Sequence, residues 1–200
     1  MKVLGLDIAG KSGWALIENG KLLDKGLIEA PQITRHRLPA CNLVAESEAL
    51  ARDLINLIHK HQPDFVYVEE TNMGRSRTTQ KALEFLHCAF LQECLSSPRS
   101  DLPNLIKYID TSKWRSTLEI KLNKEQRDHN KLVKNHLARG KITPKHLAVA
   151  WANKTYGLEL LQKDDDIADA CGLAQCGYML EMKKAPVPKE SLDAALLGQK

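Results

Sequence analysis

Two short apolar runs in this chain each end on a carboxylate. Lys2–Ile8 reads Val-Leu-Gly-Leu-Asp-Ile after its lysine and carries Asp7 at its end, while Asp64–Glu69 contains Phe-Val-Tyr-Val and closes on Glu69, with Glu70 next. Near-continuous apolar runs of this length suit central strands covered on both faces. An apolar strand has no packing use for a terminal acid, because burying a charge is costly. The two strand ends are therefore where chemistry is to be sought.

The intervening punctuation places the other elements. A tight Ala9-Gly10-Lys11-Ser12-Gly13 turn leads into Trp14–Glu18, and Asn19-Gly20, the strongest short hairpin signal, leads into Lys21–Ile28. That opening reads as a three-strand antiparallel meander. Leu43, Ser47, Leu50, Leu54, Leu57 and Ile58 then recur at helical spacing, predicting an amphipathic helix over Asn42–His61 that Pro63 stops. After the Thr71–Arg77 loop, helical spacing returns over Thr78–Leu95. Leu105–Ile109 reads as a last short strand, with Thr111 or Ser112 as N-cap of a helix through Trp114. One or two basic helices follow over Lys124–Tyr156, broken near Gly140 and Pro144, and a helix rich in small residues spans Asp166–Met182. The expected fold class is α/β: a five-stranded mixed sheet, three strands as the meander and two parallel, flanked by helices. Two hundred residues suffice for one domain with a real core, assigned to residues 1–182. Residues 183–200, with Pro186 and Pro188, are expected to form a mobile tail.

Charge narrows the class of partner. The net charge of +4 is mild, but between Lys107 and Lys154 twelve basic residues face four acidic ones, so that stretch carries +8 and the rest of the chain −4. A nucleic-acid face and a set of solvated helix surfaces both fit this asymmetry. Cys41, Cys88, Cys94, Cys171 and Cys176 are scattered without a CxxC pair, which points to reduced, mostly buried thiols rather than a disulfide or zinc framework. With no apolar run near the length of a membrane span and no signal-peptide pattern, the reading is of a soluble, cytoplasmic protein with no membrane partner.

Four acids stand in unusual places: Asp7, Glu69, and the pair Asp166 and Asp169, whose i, i+3 spacing puts them on one helix face. If the first and fourth strands are neighbours, Asp7 and Glu69 meet at adjacent strand ends, and the last helix can bring its pair over them. Such a cluster repels itself unless cations neutralise it. Hard divalent ions with oxygen ligands suit it, Mg²⁺ where phosphate completes the shell, and two such ions can clamp an in-line phosphoryl displacement. Each acid also has a plainer use. Asp164-Asp165-Asp166 suits a helix N-terminus, Asp7 a turn before Gly10, and Glu69 or Glu70 a sheet edge. Asp169 lies inside its helix, where no cap is needed, and the joint occurrence favours a site. Whether Glu70 or Asp165 replaces a neighbour in it stays open.

The same residues resemble a known family. Val3-Leu4-Gly5-Leu6-Asp7 with Gly10 and Ser12-Gly13-Trp14, Pro63-Asp64-Phe65-Val66-Tyr67-Val68-Glu69, and Asp166-Ile167-Ala168-Asp169-Ala170 resemble, in order and interval, three motifs of the RuvC-type Holliday-junction resolvases. The resemblance implies a ribonuclease H-like fold, a homodimer acting on branched DNA, and two Mg²⁺ ions, with Mn²⁺ able to substitute, held by Asp7, Glu69, Asp166 and Asp169. It also implies paired nicks placed symmetrically across a four-way junction, leaving 5′-phosphate and 3′-hydroxyl ends. The chain departs from the family pattern in three places. Its first turn is one residue shorter; the aromatic wedge of bacterial members aligns with Asn72, beside Met73; and the Lys107–Lys154 region is longer and more basic, as in a phage-type or divergent member.

Arg75 and Arg77, which follow the second acidic strand, are candidates for DNA contact, as are Lys113, Arg115, Lys131 and Lys134 for phosphate contact or transition-state stabilisation. Such contacts make binding salt-dependent. Trp114 and Trp151 suit core packing better than base stacking, and the seven histidines show no metal-ligand spacing. The competing readings are a YqgF-like RNA-processing nuclease, an actin-like or sugar-kinase-type ATP-binding phosphotransferase suggested by Gly5-Leu6-Asp7, and a non-catalytic branched-DNA-binding module. The phosphotransferase needs two such lobes, and only one set of motifs is present.

Overall fold

The computed structural model describes residues 1–71 and 76–184. Its strands are β1 (Lys2–Asp7), β2 (Lys11–Glu18), β3 (Lys21–Glu29), β4 (Phe65–Glu69) and β5 (Ile106–Ile109), and its helices α1 (Pro39–His61), α2 (Arg77–Ser96), α3 (Leu102–Leu105), α4 (Thr111–Thr117), α5 (Lys124–Lys134), α6 (Pro144–Tyr156) and α7 (Asp165–Lys184). The strands form one sheet in the order β3-β2-β1-β4-β5. β1 to β3 are an antiparallel meander, and β4 and β5 run parallel to β1 and to each other. The expected mixed sheet is therefore the observed one.

Local chemistry explains the boundaries. Asn19 and Gly20 both take positive φ, +50° and +81°, as a two-residue hairpin turn requires. α1 opens with Pro39 in its first turn and ends at Gln62 in the left-handed region, directly before Pro63. Ser76 caps α2 by accepting from Thr79 N–H, and Thr143 and His146 form a capping box on α6, which Gly157 closes at φ +66°. β2 begins three residues earlier than expected. Ser12 is buried and its hydroxyl bonds the carbonyl of Ala9, so a polar residue joins the strand with its polarity satisfied. The last helix runs through Lys184, so Lys183 and Lys184 belong to it and not to the tail; residues 185–200 lie outside the described residues.

Alternation along the strands decides which side chains face which layer. Leu4, Leu6, Leu16, Val66 and Val68 pack in one core with α1 and α2. Val3, Ala15, Tyr67 and Ile109 pack on the opposite face with α4, α6 and α7. Asp7 shares the parity of Val3, and Glu69 that of Tyr67, so both acids belong to the face that α7 covers. α7 lies very close to the sheet: a Cβ on Gly5 would collide with the Ala170 carbonyl oxygen, and one on Gly13 with that of Asp166. The cysteines are all free, with Cys94, Cys171 and Cys176 buried and Cys41 and Cys88 exposed. Among the described residues no helix is long and apolar enough to cross a membrane.

Candidate active site

Register brings the first two acids together. β1 and β4 are parallel neighbours with Leu6 opposite Val68, so the next residues, Asp7 and Glu69, end adjacent strands on the same face. The first two turns of α7 add Asp166 and Asp169, because Gly13, the partner of Asp7 across β1 and β2, lets the helix backbone settle at that end of the sheet. A cleft of about 250 Å³ opens there, lined among others by Asp7, Glu69, Glu70, His87, Lys145 and Asp166.

The electrostatics report crowding of like charge. Burial, and then the charges of Asp169, Glu69 and Asp166, push the Asp7 carboxyl well above the ordinary carboxylate range, with Lys145 pulling the other way. Asp169 is almost fully buried within α7, and burial raises it to about 7 against the pull of Arg115, with Glu69 adding to the rise. Asp166 is raised by burial and by Asp165, opposed by Lys145. The Lys145 ammonium, although burial works to lower its pKa, is raised by its hydrogen bond to Asp165 and by the charges of Asp165, Asp169 and Asp7.

Each carboxylate that has a local donor leans toward it. Glu69 accepts from Thr111 Oγ1 at 2.5 Å and from the Trp114 indole N–H at 2.9 Å. Asp169 accepts from Arg115 at 2.9 Å through one oxygen, and its other oxygen, Oδ1, is buried without a partner. Lys145 pairs with Asp165 and lies 3.7 Å from Asp166. With the side chains so turned, no three acid, histidine or cysteine groups among the described residues stand close enough to hold one ion. The donor set nevertheless fits a hard cation: carboxylate oxygens only, one of them buried and orphaned, with mutual repulsion that a divalent ion relieves.

No protein-family model and no curated protein matches the chain. Solved structures do. RuvC of Thermus thermophilus in complex with a Holliday junction aligns at a TM-score of 0.58 and 16% identity, over 91% of this chain and 96% of that one. The fold is ribonuclease H-like, of the RuvC type. A second structure of Thermus thermophilus RuvC aligns at a TM-score of 0.56 and 16% identity, over 92% and 97% of the two chains. Yeast mitochondrial Ydc2, a Holliday junction resolvase, aligns at 0.50 and 16% identity, over 92% and 80%.

Within this RuvC-type frame the basic candidates separate. Arg115 is largely buried and turned onto Asp169. Arg77 is exposed in the first turn of α2 and Lys113 in α4, Lys131 and Lys134 are exposed on α5, and Arg75 lies outside the described residues with Asn72 and Met73. Trp114 is fully buried, and its indole serves Glu69; Trp151 packs edge-on against Tyr156, 5.7 Å between ring centres. Sequence reasoning missed Lys145 and His87 and read Thr111 or Ser112 as an N-cap; Asp110 caps α4 instead, accepting from the Ser112 and Lys113 N–H groups, and the Thr111 hydroxyl serves Glu69. His87 lines the cleft with its ring between Tyr108 Oη at 3.1 Å and the Ile8 carbonyl at 3.4 Å, and burial lowers its pKa. A lysine in a first helical turn or a histidine on a helix carries no signal until the fold places it.

Proposed function

We propose that the chain is a divalent-metal-dependent, structure-selective endonuclease that cuts four-way junctions or other branched DNA by paired nicks, working as a homodimer. The observation that carries this reading is the gathering of Asp7, Glu69, Asp166 and Asp169, from three separate elements, at one end of one sheet face. There burial, and then the charges of the other three, hold Asp7 well above its ordinary pKa. Solved proteins of the same fold include one bound to a Holliday junction and one named as a resolvase, which supports the choice of substrate.

Asp7, Glu69, Asp166 and Asp169 would hold the ions. Bound Mg²⁺ supplies activation of water and neutralisation of charge on phosphate oxygens in a phosphodiester hydrolysis. The protein's own groups do the positioning. Thr111 and the Trp114 indole fix the Glu69 carboxylate from two directions, and Arg115 fixes one oxygen of Asp169 and leaves the other free. Lys145 places an ammonium at the cleft mouth, where a phosphate would find it.

The test is nicking of a synthetic four-way junction by wild type, Asp7→Asn and Asp169→Asn, with Mg²⁺ and with EDTA, and a single-stranded RNA run in parallel. The reading expects symmetric nicks by wild type with Mg²⁺ only. Equal, metal-independent activity in all three proteins would overturn it, and preferential cleavage of the RNA would favour the RNA-processing alternative.

A further inference from the structure

We infer that residues 121–143 form a basic arm that grips the sugar-phosphate backbone of a duplex DNA arm leading into the acid cleft; the choice of DNA rests on the endonuclease reading above. The segment holds seven lysines and arginines against two acids. All seven are exposed. On α5, Lys124, Arg127, Lys131 and Lys134 fall at i, i+3, i+7 and i+10, which puts them in one stripe along the helix. Ten residues of helix rise ~15 Å, and a DNA strand carries one phosphate per 3.4 Å of axis, so the stripe is about four phosphates long.

The arm has the build of a positioned element and not of a packed one. α5 buries none of its residues, and an isolated helix of this length is marginal in water. Its own parts are nonetheless tied to one another. Asn123 and Gln126 form a capping box at its start, Asn130 exchanges two hydrogen bonds of 2.7 and 2.8 Å with the Ile142 backbone, and His129 bonds the Gly140 carbonyl at 3.0 Å. These bonds clamp the return segment, with Arg139 and Lys141, against the helix. Both roots of the arm lead to the acids: α4 before it carries Arg115 on Asp169, and the first turn of α6 after it carries Lys145 on Asp165. Lys131 pairs with Asp128 at 2.8 Å, but both side chains are largely exposed, and such a pair yields readily to phosphate. Leu132 and Leu137 are also exposed. Two scattered leucines beside seven cations favour a polyanion over an apolar protein partner.

The experiment uses the full chain in EDTA, so that nothing is cut, and follows binding to a labelled linear DNA duplex as salt is raised. Wild type is compared with the fourfold variant K124Q/R127Q/K131Q/K134Q and with the charge-conserving K124R/R127K/K131R/K134R; circular dichroism and melting check folding. The expected result is a log-log salt slope shallower by about two to four in the glutamine variant, and kept in the charge-conserving one. An unchanged slope and affinity in a folded glutamine variant would overturn the inference, as would stronger competition by an RNA duplex of the same sequence than by DNA. Junction cleavage by wild type separates the two readings. Cleavage with an unchanged slope sinks the arm alone, whereas a lowered slope with no cleavage sinks the endonuclease reading and leaves the arm standing.

Discussion

Arg115 reaches Asp169 through a single bond of 2.9 Å, and the second carboxylate oxygen of Asp169 is left buried with nothing to bond. The pair is thus half made. Burial outweighs the guanidinium, so Asp169 stands near 7 instead of falling below its ordinary value. Removing the cation with Arg115→Gln leaves a less compensated charge above that pH, but only a lost hydrogen bond where Asp169 is protonated. The variant should lose about 1–3 kcal/mol of metal-free stability at pH 8 and markedly less at pH 5. Urea unfolding at both values measures it, and an equal loss at both would contradict the role given to Asp169.

Asp7→Asn should stabilise the metal-free protein while abolishing its response to Mg²⁺. The Asp7 pKa is raised in the fold, so the native state holds its proton more tightly than the unfolded chain does, and stability falls as pH rises above the ordinary carboxylate range. The variant's advantage should therefore be absent in acid and greatest in alkali, at about 2–4 °C in melting temperature per kcal/mol for a chain of this size. Thermal melts with and without saturating Mg²⁺ test both halves, since ligand binding raises the wild-type transition by linkage.

Gly13→Ala should move the last helix off the sheet. The added methyl meets the Asp166 backbone, which can yield only by shifting α7, an overpacking cost of about 1–3 kcal/mol with loss of cleavage. Gly10→Ala is the control: nothing lies within 4 Å of its Cβ, and the change should stay within about 0.5 kcal/mol. Parallel behaviour of the two variants would contradict this view of how the acids are brought together.

At the far end of α7, Glu181 accepts from Tyr67 at 2.5 Å, Lys107 at 2.7 Å and Lys184 at 3.1 Å. Burial works to raise its pKa, but these bonds outweigh burial and lower it to about 2. A depressed carboxyl stabilises the fold above its unfolded pKa, and that contribution is lost as pH falls from about 4.5 toward 2. Glu181→Gln should therefore be less stable than wild type at pH 7, on the order of 1–3 kcal/mol, with the difference shrinking on acidification. Denaturant melts across that range would show a constant gap if the network were inert.

Much of this was legible in the residues because the signals were local. Asn19-Gly20 forces a hairpin, and apolar runs ending in Asp7 and Glu69 mark two neighbouring strands and the sheet end where their acids meet. The missing parts depended on tertiary placement. Lys145 reads as an ordinary helix-start lysine until α6 packs on α7, and Arg115 reads as a candidate phosphate contact until α4 turns it inward onto Asp169. The strand expected over Leu105–Ile109 starts one residue later, because Leu105 closes a short helix, Leu102–Leu105, whose Leu102 is fully buried. The sequence reading of Ser12 as turn failed for a similar reason: its hydroxyl found a backbone partner that spacing does not reveal.

The most direct test is diffraction from crystals grown with Mn²⁺, recorded for its anomalous signal. Anomalous peaks are expected within coordination distance of Asp7, Glu69, Asp166 and Asp169, with Glu69 and Asp169 turned from their present donors toward the ions. A cleft that takes up no ion at saturating Mn²⁺, with Glu69 still on Thr111, Asp169 on Arg115 and Asp166 beside Lys145, would contradict the metal-site reading.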